Sequence, residues 1–137
     1  MRTEKPRILV VEDDTGLRDL MRIHLTLAGY DVHTAHNGKE ALTRILELNP
    51  AALVLDLNMP KIDGFAVLEA MARHPATKAI PSLVVSARNA PDDIKRAVKA
   101  GAKDYLSKPF TEAQLTSRVA RLMRWVAPPA QDSSVLI

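Results

Sequence analysis

Residues that can handle a phosphoryl group stand at the ends of four short apolar runs in this chain. Glu12 and Asp13 follow the first run, and Asp56 follows the second. Ser86 ends the third run and Lys108 follows the fourth. Carboxylates can hold a divalent cation and offer a nucleophile, whereas a hydroxyl and an ammonium can bind phosphoryl oxygens. The residue types therefore predict a metal-dependent phosphoryl-transfer site, provided that the fold brings the run ends together.

The segments between these runs have the spacing of amphipathic helices. Leu17, Met21, Leu25 and Ala28 lie on one face of the first predicted helix, which Gly29 should end. Three further helices are predicted over about 38–48, 65–73 and 92–100. A last helix is predicted to begin at about 112, and its apolar face extends to Val126. Each helix is thus preceded by a short strand, which is typical of an α/β protein.

Five consecutive strand–helix pairs predict a doubly wound parallel sheet with helices on both faces. The runs around Val10, Val54 and Val84 are apolar throughout, as central parallel strands should be, while residues 31–35 alternate only weakly and favour an edge. This pattern favours a flavodoxin-like, five-stranded sheet of order 2-1-3-4-5. Ligands of such sheets bind beyond the carboxyl ends of the strands, where the order reverses. The acidic residues stand at that point, between strands one and three.

Composition is that of an ordinary folded domain. The chain has 137 residues, of which 47% are hydrophobic and 26% charged, and this length suits one domain. No apolar stretch approaches the roughly 18 residues that cross a bilayer, so no membrane segment is expected. The absence of cysteine excludes disulfides and is compatible with a cytoplasmic location. The net charge of +3 does not indicate nucleic-acid binding.

The predicted boundaries are a short extension at 1–6, one domain at 7–126 and a tail or linker at 127–137. The sequence leaves open whether the chain stands alone or belongs to a longer regulator or hybrid kinase. Basic side chains gather in the last third, where they form either a solvated surface or a contact for an acidic partner. They are Lys95, Arg96, Lys99, Lys103, Arg118, Arg121 and Arg124.

Four motifs in order resemble those of response-regulator receiver domains of two-component signalling, over about residues 7–125. They are Val-Val-Glu-Asp-Asp at 10–14, Leu-Asp-Leu-Asn-Met-Pro-x-x-Asp-Gly at 55–64, Val-Ser-Ala at 85–87 and Gly-Ala-x-Asp-Tyr-Leu-x-Lys-Pro-Phe at 101–110. Each motif is weak alone, but the combination is specific. The resemblance implies a domain that accepts a phosphoryl group from a histidine kinase or histidine phosphotransfer protein.

The resemblance also implies the residues that bind metal. Asp56 matches the phosphoacceptor and would share the ion with Asp13 directly, with Glu12 through water and with the backbone carbonyl of Asn58. Hard oxygen ligands suit Mg²⁺ and are also compatible with Mn²⁺. Asp14 adds negative charge nearby and is expected either to lie behind the metal ligands or to stand at the start of the following helix. For the acidic run as a whole, simple helix capping is the alternative interpretation.

The remaining implied roles concern phosphoryl binding and switching. Lys108 and Ser86 match the residues that bind phosphoryl oxygens, and the resemblance includes a cis peptide after the lysine. Tyr105 matches the aromatic residue that turns inward on activation; a half-buried strand aromatic without a signalling role is the alternative. Arg88 either contacts the phosphoryl group or points to solvent. Gly64 is expected to supply a positive φ in the loop after the acceptor.

A small Mg²⁺-dependent phosphohydrolase is the competing function, because aspartyl nucleophiles beside acidic metal ligands also serve phosphatases. Such enzymes usually carry a second aspartate two positions after the nucleophile, where this chain has Asn58. A domain that kept the fold but lost phosphorylation is a third interpretation, which the intact set of site residues disfavours. In the favoured interpretation, a phosphorylatable receiver, only Mg²⁺-dependent self-phosphorylation and self-dephosphorylation would be enzymatic, and no organic cofactor is expected.

Oligomerisation is a further expectation from the resemblance. Asp104 and Arg118 match positions of receivers that form homodimers through the fourth helix, fifth strand and fifth helix, but Gln114 replaces the usual acidic residue there. No direct nucleic-acid contact by the domain is expected. The histidines lack metal-ligand spacing and are predicted to be surface or helix-filling residues. They are His24, His33, His36 and His74.

Overall fold

The computed structural model describes residues 4–124, in which strands and helices alternate along the chain as predicted. The strands are β1 Arg7–Val11, β2 Asp31–Ala35, β3 Ala52–Leu55, β4 Ser82–Ser86 and β5 Asp104–Ser107. The helices are α1 Thr15–Leu27, α2 Gly38–Leu48, α3 Gly64–Ala72, α4 Pro91–Ala100 and α5 Glu112–Met123. The predicted extension of the last helix to Val126 and the predicted tail lie outside the described residues.

The strands form one parallel sheet of order β2-β1-β3-β4-β5, which confirms the predicted topology. Within it β1 pairs with β3 from Ile8↔Ala52 to Val11↔Leu55. The order reverses between these two strands, since β2 lies on the other side of β1. The residues that follow Val11 and Leu55 are therefore brought side by side at the carboxyl edge of the sheet.

Hydrophobic side chains are buried on both faces of the sheet, as a doubly wound fold requires. On one face α2, α3 and α4 contribute to a core that includes Leu9, Ile45 and Phe65. On the other face α1 and α5 contribute to a core with Val10 and Leu115. Alternate residues of β1 point into opposite cores, which explains why the central strands are apolar at every position.

Side-chain caps fix where several helices begin. The carboxylate of Asp14 accepts from the backbone N–H of Leu17, so Asp14 is the N-cap of α1, which is one of its two predicted positions. Thr111 caps α5 in a reciprocal capping box with Gln114. The residue at position 114 thus has a local role in the helix start. None of the helices described in residues 4–124 has the length and apolarity needed to span a membrane.

Candidate functional site

Three carboxylates converge at the carboxyl ends of β1 and β3. Glu12 and Asp13 follow β1, and Asp56 follows β3, with its backbone N–H donating to Val11 O at 3.0 Å. One carboxylate oxygen from each acid lies within 4.8 Å of those from the other two. Glu12 and Asp56 are buried while Asp13 is exposed. Oxygen ligands at this separation can hold a divalent cation with room for water molecules.

Lys108 brings a positive charge to the same cluster. Its ammonium Nζ lies 3.0 Å from Glu12 Oε1 and 3.4 Å from Asp56 Oδ2. The Lys108–Pro109 peptide bond is cis, as the resemblance implied. The backbone N–H of Lys108 donates to the carbonyl oxygen of Ser86 at 3.0 Å, which joins the ends of β5 and β4. The structure thus brings together the carboxylates and lysine that the sequence singled out.

The burial of the cluster changes the proton affinity of its members. Burial away from water, together with the negative charge of Asp56, raises the pKa of Glu12 from 4.5 to about 7, even though the hydrogen bond from Lys108 opposes this shift. Burial also disfavours the charged form of Lys108, but the hydrogen bond to Glu12 and the charge of Asp56 outweigh it and raise the pKa of Lys108. The carboxylates are thus under mutual repulsion that a cation would relieve.

The metal-free protein should lose stability as the pH rises from about 4.5 to about 7. Between about 4.5 and 7 the folded state holds a proton on Glu12 that the unfolded state has released, so the free energy of unfolding falls with rising pH. The full loss is of order 3 kcal/mol and is complete above the folded pKa. Urea unfolding in chelator from pH 4.5 to 8 measures it. The Glu12→Gln variant should show a flatter profile, and an equally steep profile would contradict the assignment.

Local hydrogen bonds hold the acidic loop in place. The Arg18 guanidinium donates to the carbonyl oxygens of Glu12 at 2.9 Å and Asp13 at 3.4 Å. The backbone N–H of Asp14 donates to Glu12 Oε2 at 3.2 Å, and that of Asn58 donates to Asp56 Oδ1 at 3.2 Å. Sequence reasoning missed Arg18, although its place one turn into the predicted helix after the acidic run was the available signal.

Gly64 is required for a reason other than the predicted one. The positive φ of the loop after Asp56 falls on Lys61 at 67°, and Gly64 is not among the positive-φ residues. A Cβ at Gly64 would instead lie 2.5 Å from Asp56 O and 2.7 Å from Leu57 Cα. The predicted positive φ at Gly64 is therefore wrong. The glycine allows α3 to begin directly against the backbone that carries Asp56.

The loop between β4 and α4 links Ser86, Arg88 and Tyr105. The backbone N–H of Arg88 donates to Ser86 Oγ at 3.1 Å, and the Tyr105 hydroxyl donates to the Arg88 carbonyl oxygen. Burial and the charge of Asp93 raise the pKa of the Tyr105 phenol, against the effect of its hydrogen bond with Ser86. The Arg88 guanidinium donates to Asp93 Oδ1 at 2.8 Å. The Arg88 side chain is therefore bound to α4 in this structure rather than pointing freely to solvent, and its contact with a phosphoryl group stays a prediction.

Two cations of the basic last third are paired within the chain. Arg118 Nη1 donates to the Tyr105 carbonyl oxygen at 2.8 Å and lies 3.4 Å from Asp104 Oδ1. Arg121 Nη2 lies 2.6 Å from Asp104 Oδ2. A homodimer that uses Asp104 would have to exchange these contacts for contacts with the second copy. The dimer stays a prediction.

Three of the four histidines lie beside single carboxylates rather than in a group of ligands. His24 is 3.7 Å from Glu112, His33 is 3.2 Å from Asp31, and His36 Nδ1 is 2.7 Å from Glu40. In the part of the chain that the structure describes, the side chains that could hold a metal ion together are those of Glu12, Asp13 and Asp56, and this group contains no histidine.

Comparison with known proteins identifies the family that has this sheet and this acidic edge. The family model for the response regulator receiver domain matches residues 8–120, and the chain belongs to that family. Receiver domains are the phosphate-accepting parts of two-component signalling systems rather than enzymes with a separate substrate. Membership thus supports the signalling interpretation over the phosphohydrolase alternative.

Curated relatives are longer than this chain. The transcriptional regulatory protein PrrA of Mycobacterium leprae is 42% identical over 132 residues, which cover 96% of this chain and 56% of PrrA. The response regulator MprA of Mycobacterium avium is 40% identical over 129 residues, which cover 94% of this chain and 56% of MprA. The chain therefore spans about half the length of the curated relatives that it matches.

Solved receiver structures match nearly end to end. The chemotaxis protein CheY4 of Vibrio cholerae superposes with a TM-score of 0.83 at 28% identity, covering 87% of this chain and 99% of CheY4. The receiver domain of a Francisella response regulator superposes with a TM-score of 0.82 at 31% identity, covering 88% of this chain and 98% of that domain. These matches confirm the flavodoxin-like fold predicted from the sequence.

Proposed function

We propose that this chain is a phosphorylatable receiver that accepts one phosphoryl group on Asp56. The observation that carries the proposal is the position of Asp56, buried beside Glu12 and Asp13 and 3.4 Å from the ammonium of Lys108. The donor would be a phosphohistidine on a kinase or phosphotransfer protein. Intact mass before and after acetyl phosphate with Mg²⁺ tests the proposal, and one added phosphoryl group is expected.

The chain's own groups can support each part of this reaction. A carboxylate oxygen of Asp56 would attack phosphorus, and the bond to the histidine nitrogen of the donor would break. Lys108 would then bind a phosphoryl oxygen, since its ammonium already lies between Glu12 and Asp56. The hydroxyl of Ser86 would donate a second hydrogen bond to the phosphoryl group. A divalent cation bound nearby would neutralise phosphoryl oxygens during transfer.

The residues present fit Mg²⁺, with Mn²⁺ as a substitute. Asp13 and Asp56 would ligate directly, Glu12 through water, and Asn58 would contribute its backbone carbonyl. Exposure of Asp13 beside two buried acids supports this assignment, because a hydrated ion can enter from solvent and keep several waters. The raised pKa of Glu12 adds to the support, because a cation would relieve the repulsion that causes part of it.

Millimolar Mg²⁺ should therefore raise the thermal midpoint of the protein. A cation that binds only the folded state at ten times its Kd adds about 1.4 kcal/mol to the free energy of unfolding. The increase should vanish in Asp13→Ala and persist in Glu47→Ala, which removes an exposed carboxylate from α2. Thermal melts with and without Mg²⁺ measure it. A Mg²⁺ response that survives in Asp13→Ala would place the ion elsewhere.

Phosphorylation should change the face formed by α4, β5 and α5. Ser86 begins the loop that leads into α4, and Lys108 follows β5, which carries Tyr105. Drawing Ser86 and Lys108 toward one phosphoryl group would shift their neighbours together and bias a two-state element. We expect that face to bind the output partner or a second copy, and we expect the protein to work in the cytoplasm.

Amide hydrogen exchange should change in residues about 87–107 when beryllofluoride and Mg²⁺ mimic the phosphoryl group. Exchange in α1 and α2 should stay largely the same, because those helices do not follow the strands that carry Ser86 and Tyr105. The Asp56→Asn variant under the same treatment is the control and should show no change. A response confined to the loop after Asp56 would show that this face is not the output.

A further inference from the structure

The backbone of Arg88 contacts both residues of the proposed switch. Its N–H donates to Ser86 Oγ at 3.1 Å, and its carbonyl oxygen accepts from the Tyr105 hydroxyl. The Ser86 hydroxyl also hydrogen-bonds with the Tyr105 side chain, so Ser86, Arg88 and Tyr105 form one connected network. The position of the Arg88 backbone therefore decides how Ser86 and Tyr105 are oriented at the same time.

The side chain of Arg88 joins the loop to two helices. Nη2 of Arg88 donates to Asp93 Oδ1 at 2.8 Å, in the first turn of α4. The guanidinium carbon lies 5.2 Å from the ring centroid of buried Phe65 in α3, and that of Arg96 lies 3.9 Å from the same centroid. A planar guanidinium held by a carboxylate and an aromatic ring has a narrow range of orientations.

The other residues of the loop between β4 and α4 contribute little to holding it in place. Ala87, Asn89 and Ala90 are exposed, and Ala90 is an N-cap whose side chain forms no capping hydrogen bond. The start of α4 at Pro91 therefore lacks the local hydrogen bond that α1, α2, α3 and α5 receive from their caps. The pair between Arg88 and Asp93 crosses this uncapped helix start and ties the loop to the first turn of α4, although it accepts no hydrogen bond from the backbone N–H groups of the helix.

We propose that Asp93 is a positioning residue of the switch, acting through Arg88 to favour the orientations that Ser86 and Tyr105 have in this structure, with the Tyr105 hydroxyl turned inward to the Arg88 carbonyl oxygen. The inference deepens the proposed function and rests on it, because it treats Ser86 and Tyr105 as the switch pair. Loss of the Asp93 carboxylate should free the Arg88 guanidinium. The Arg88 carbonyl oxygen would then hold the Tyr105 hydroxyl for a smaller fraction of the time.

Fluorotyrosine labelling tests the inference in the resting protein, with no phosphoryl donor added. The chain has two tyrosines, and Tyr30 packs against the opposite core from Tyr105, so Tyr30 serves as an internal reference. In Asp93→Asn the fluorine resonance of Tyr105 should shift or split, with its inward population lowered about two- to fivefold, as expected for loss of one ion pair. The resonance of Tyr30 should stay unchanged, which also shows that the variant is folded.

The matched control is Asp92→Asn, which removes the same charge from the same helix turn. Asp92 is exposed and forms no ion pair among the described residues, so the Tyr105 resonance should stay as in wild type. Arg88→Ala, which keeps the backbone contacts but removes the guanidinium, should act like Asp93→Asn, and the double variant should be no worse than either single one. An unchanged Tyr105 resonance in Asp93→Asn, or an equal change in Asp92→Asn, would overturn the proposal.

A second measurement separates this inference from the proposed function. The rate of phosphorylation by acetyl phosphate should fall about two- to fivefold in Asp93→Asn and stay unchanged in Asp92→Asn. If wild type gains no phosphoryl group at all, the proposed function fails while the fluorine result still reports on the link between Arg88 and Tyr105. If phosphorylation occurs but the two variants behave alike in both measurements, only the positioning role fails.

Discussion

Replacing Asp56 with asparagine should abolish phosphorylation of the protein by acetyl phosphate and Mg²⁺. The amide is nearly the same size as the carboxylate, but it is not a nucleophile toward phosphorus and is a poorer ligand for Mg²⁺. Glu12 is also buried and lies 3.0 Å from Lys108, but Asp56 is the acid at the end of β3, where the resemblance to receiver domains places the phosphoacceptor. Intact mass after incubation should show one added phosphoryl group on wild type and none on Asp56→Asn.

Asp14→Asn is the matched control for that experiment. Asp14 is an exposed acid two positions from Glu12, and it caps α1 through its side chain. Asparagine is an equally good N-cap, so the helix start should be kept while one nearby charge is removed. Phosphorylation should therefore persist in Asp14→Asn. A rate in Asp56→Asn equal to that of wild type would show that the acceptor is another residue.

Gly64→Ala should destabilise the fold strongly, by roughly 2–4 kcal/mol in the free energy of unfolding. The added Cβ would lie 2.5 Å from Asp56 O and 2.7 Å from Leu57 Cα, and both contacts are with backbone atoms that cannot rotate away. Relief would require α3 to move from the sheet or the backbone of Asp56 to shift. Urea unfolding at fixed pH measures the loss, and acetyl phosphate should also modify the folded variant more slowly.

Gly16→Ala offers the opposite expectation at a glycine with open surroundings. Apart from the adjacent residues and the backbone of the same helix, no atom lies within 4 Å of a Cβ placed at Gly16, which is exposed in the first turn of α1. Alanine there should be neutral or stabilising by up to about 1 kcal/mol, because it favours the helix. Equal stability losses in the two variants would mean that the contact with the Asp56 backbone does not restrict position 64.

Periodicity and residue type alone determined the alternation of strands and helices and the order of the sheet. The apolar runs of β1, β3 and β4 predicted central strands because both of their faces had to be buried, and the weaker alternation of β2 predicted an edge. Strand order then implied where the ends meet. The convergence of Glu12, Asp13, Asp56 and Lys108 therefore follows from the sequence pattern, since parallel strands present their carboxyl ends at one edge.

Only the tertiary structure decided which groups pair inside that convergence. Lys108 and Glu12 are 96 positions apart, and their 3.0 Å contact depends on how β5 and β1 are set in the sheet. The pair of Arg88 with Asp93 has a short separation in sequence, but its position over Phe65 depends on how α3 packs beside α4.

The restriction at Gly64 has the same origin. The sequence indicated a turn with positive φ, whereas the fold requires a close approach of α3 to the backbone of Asp56. Periodicity reports which face of an element is buried, because burial repeats with the geometry of the helix or strand. Periodicity does not report the distance between two elements. That distance depends on the sizes of the side chains that the two elements pack against each other.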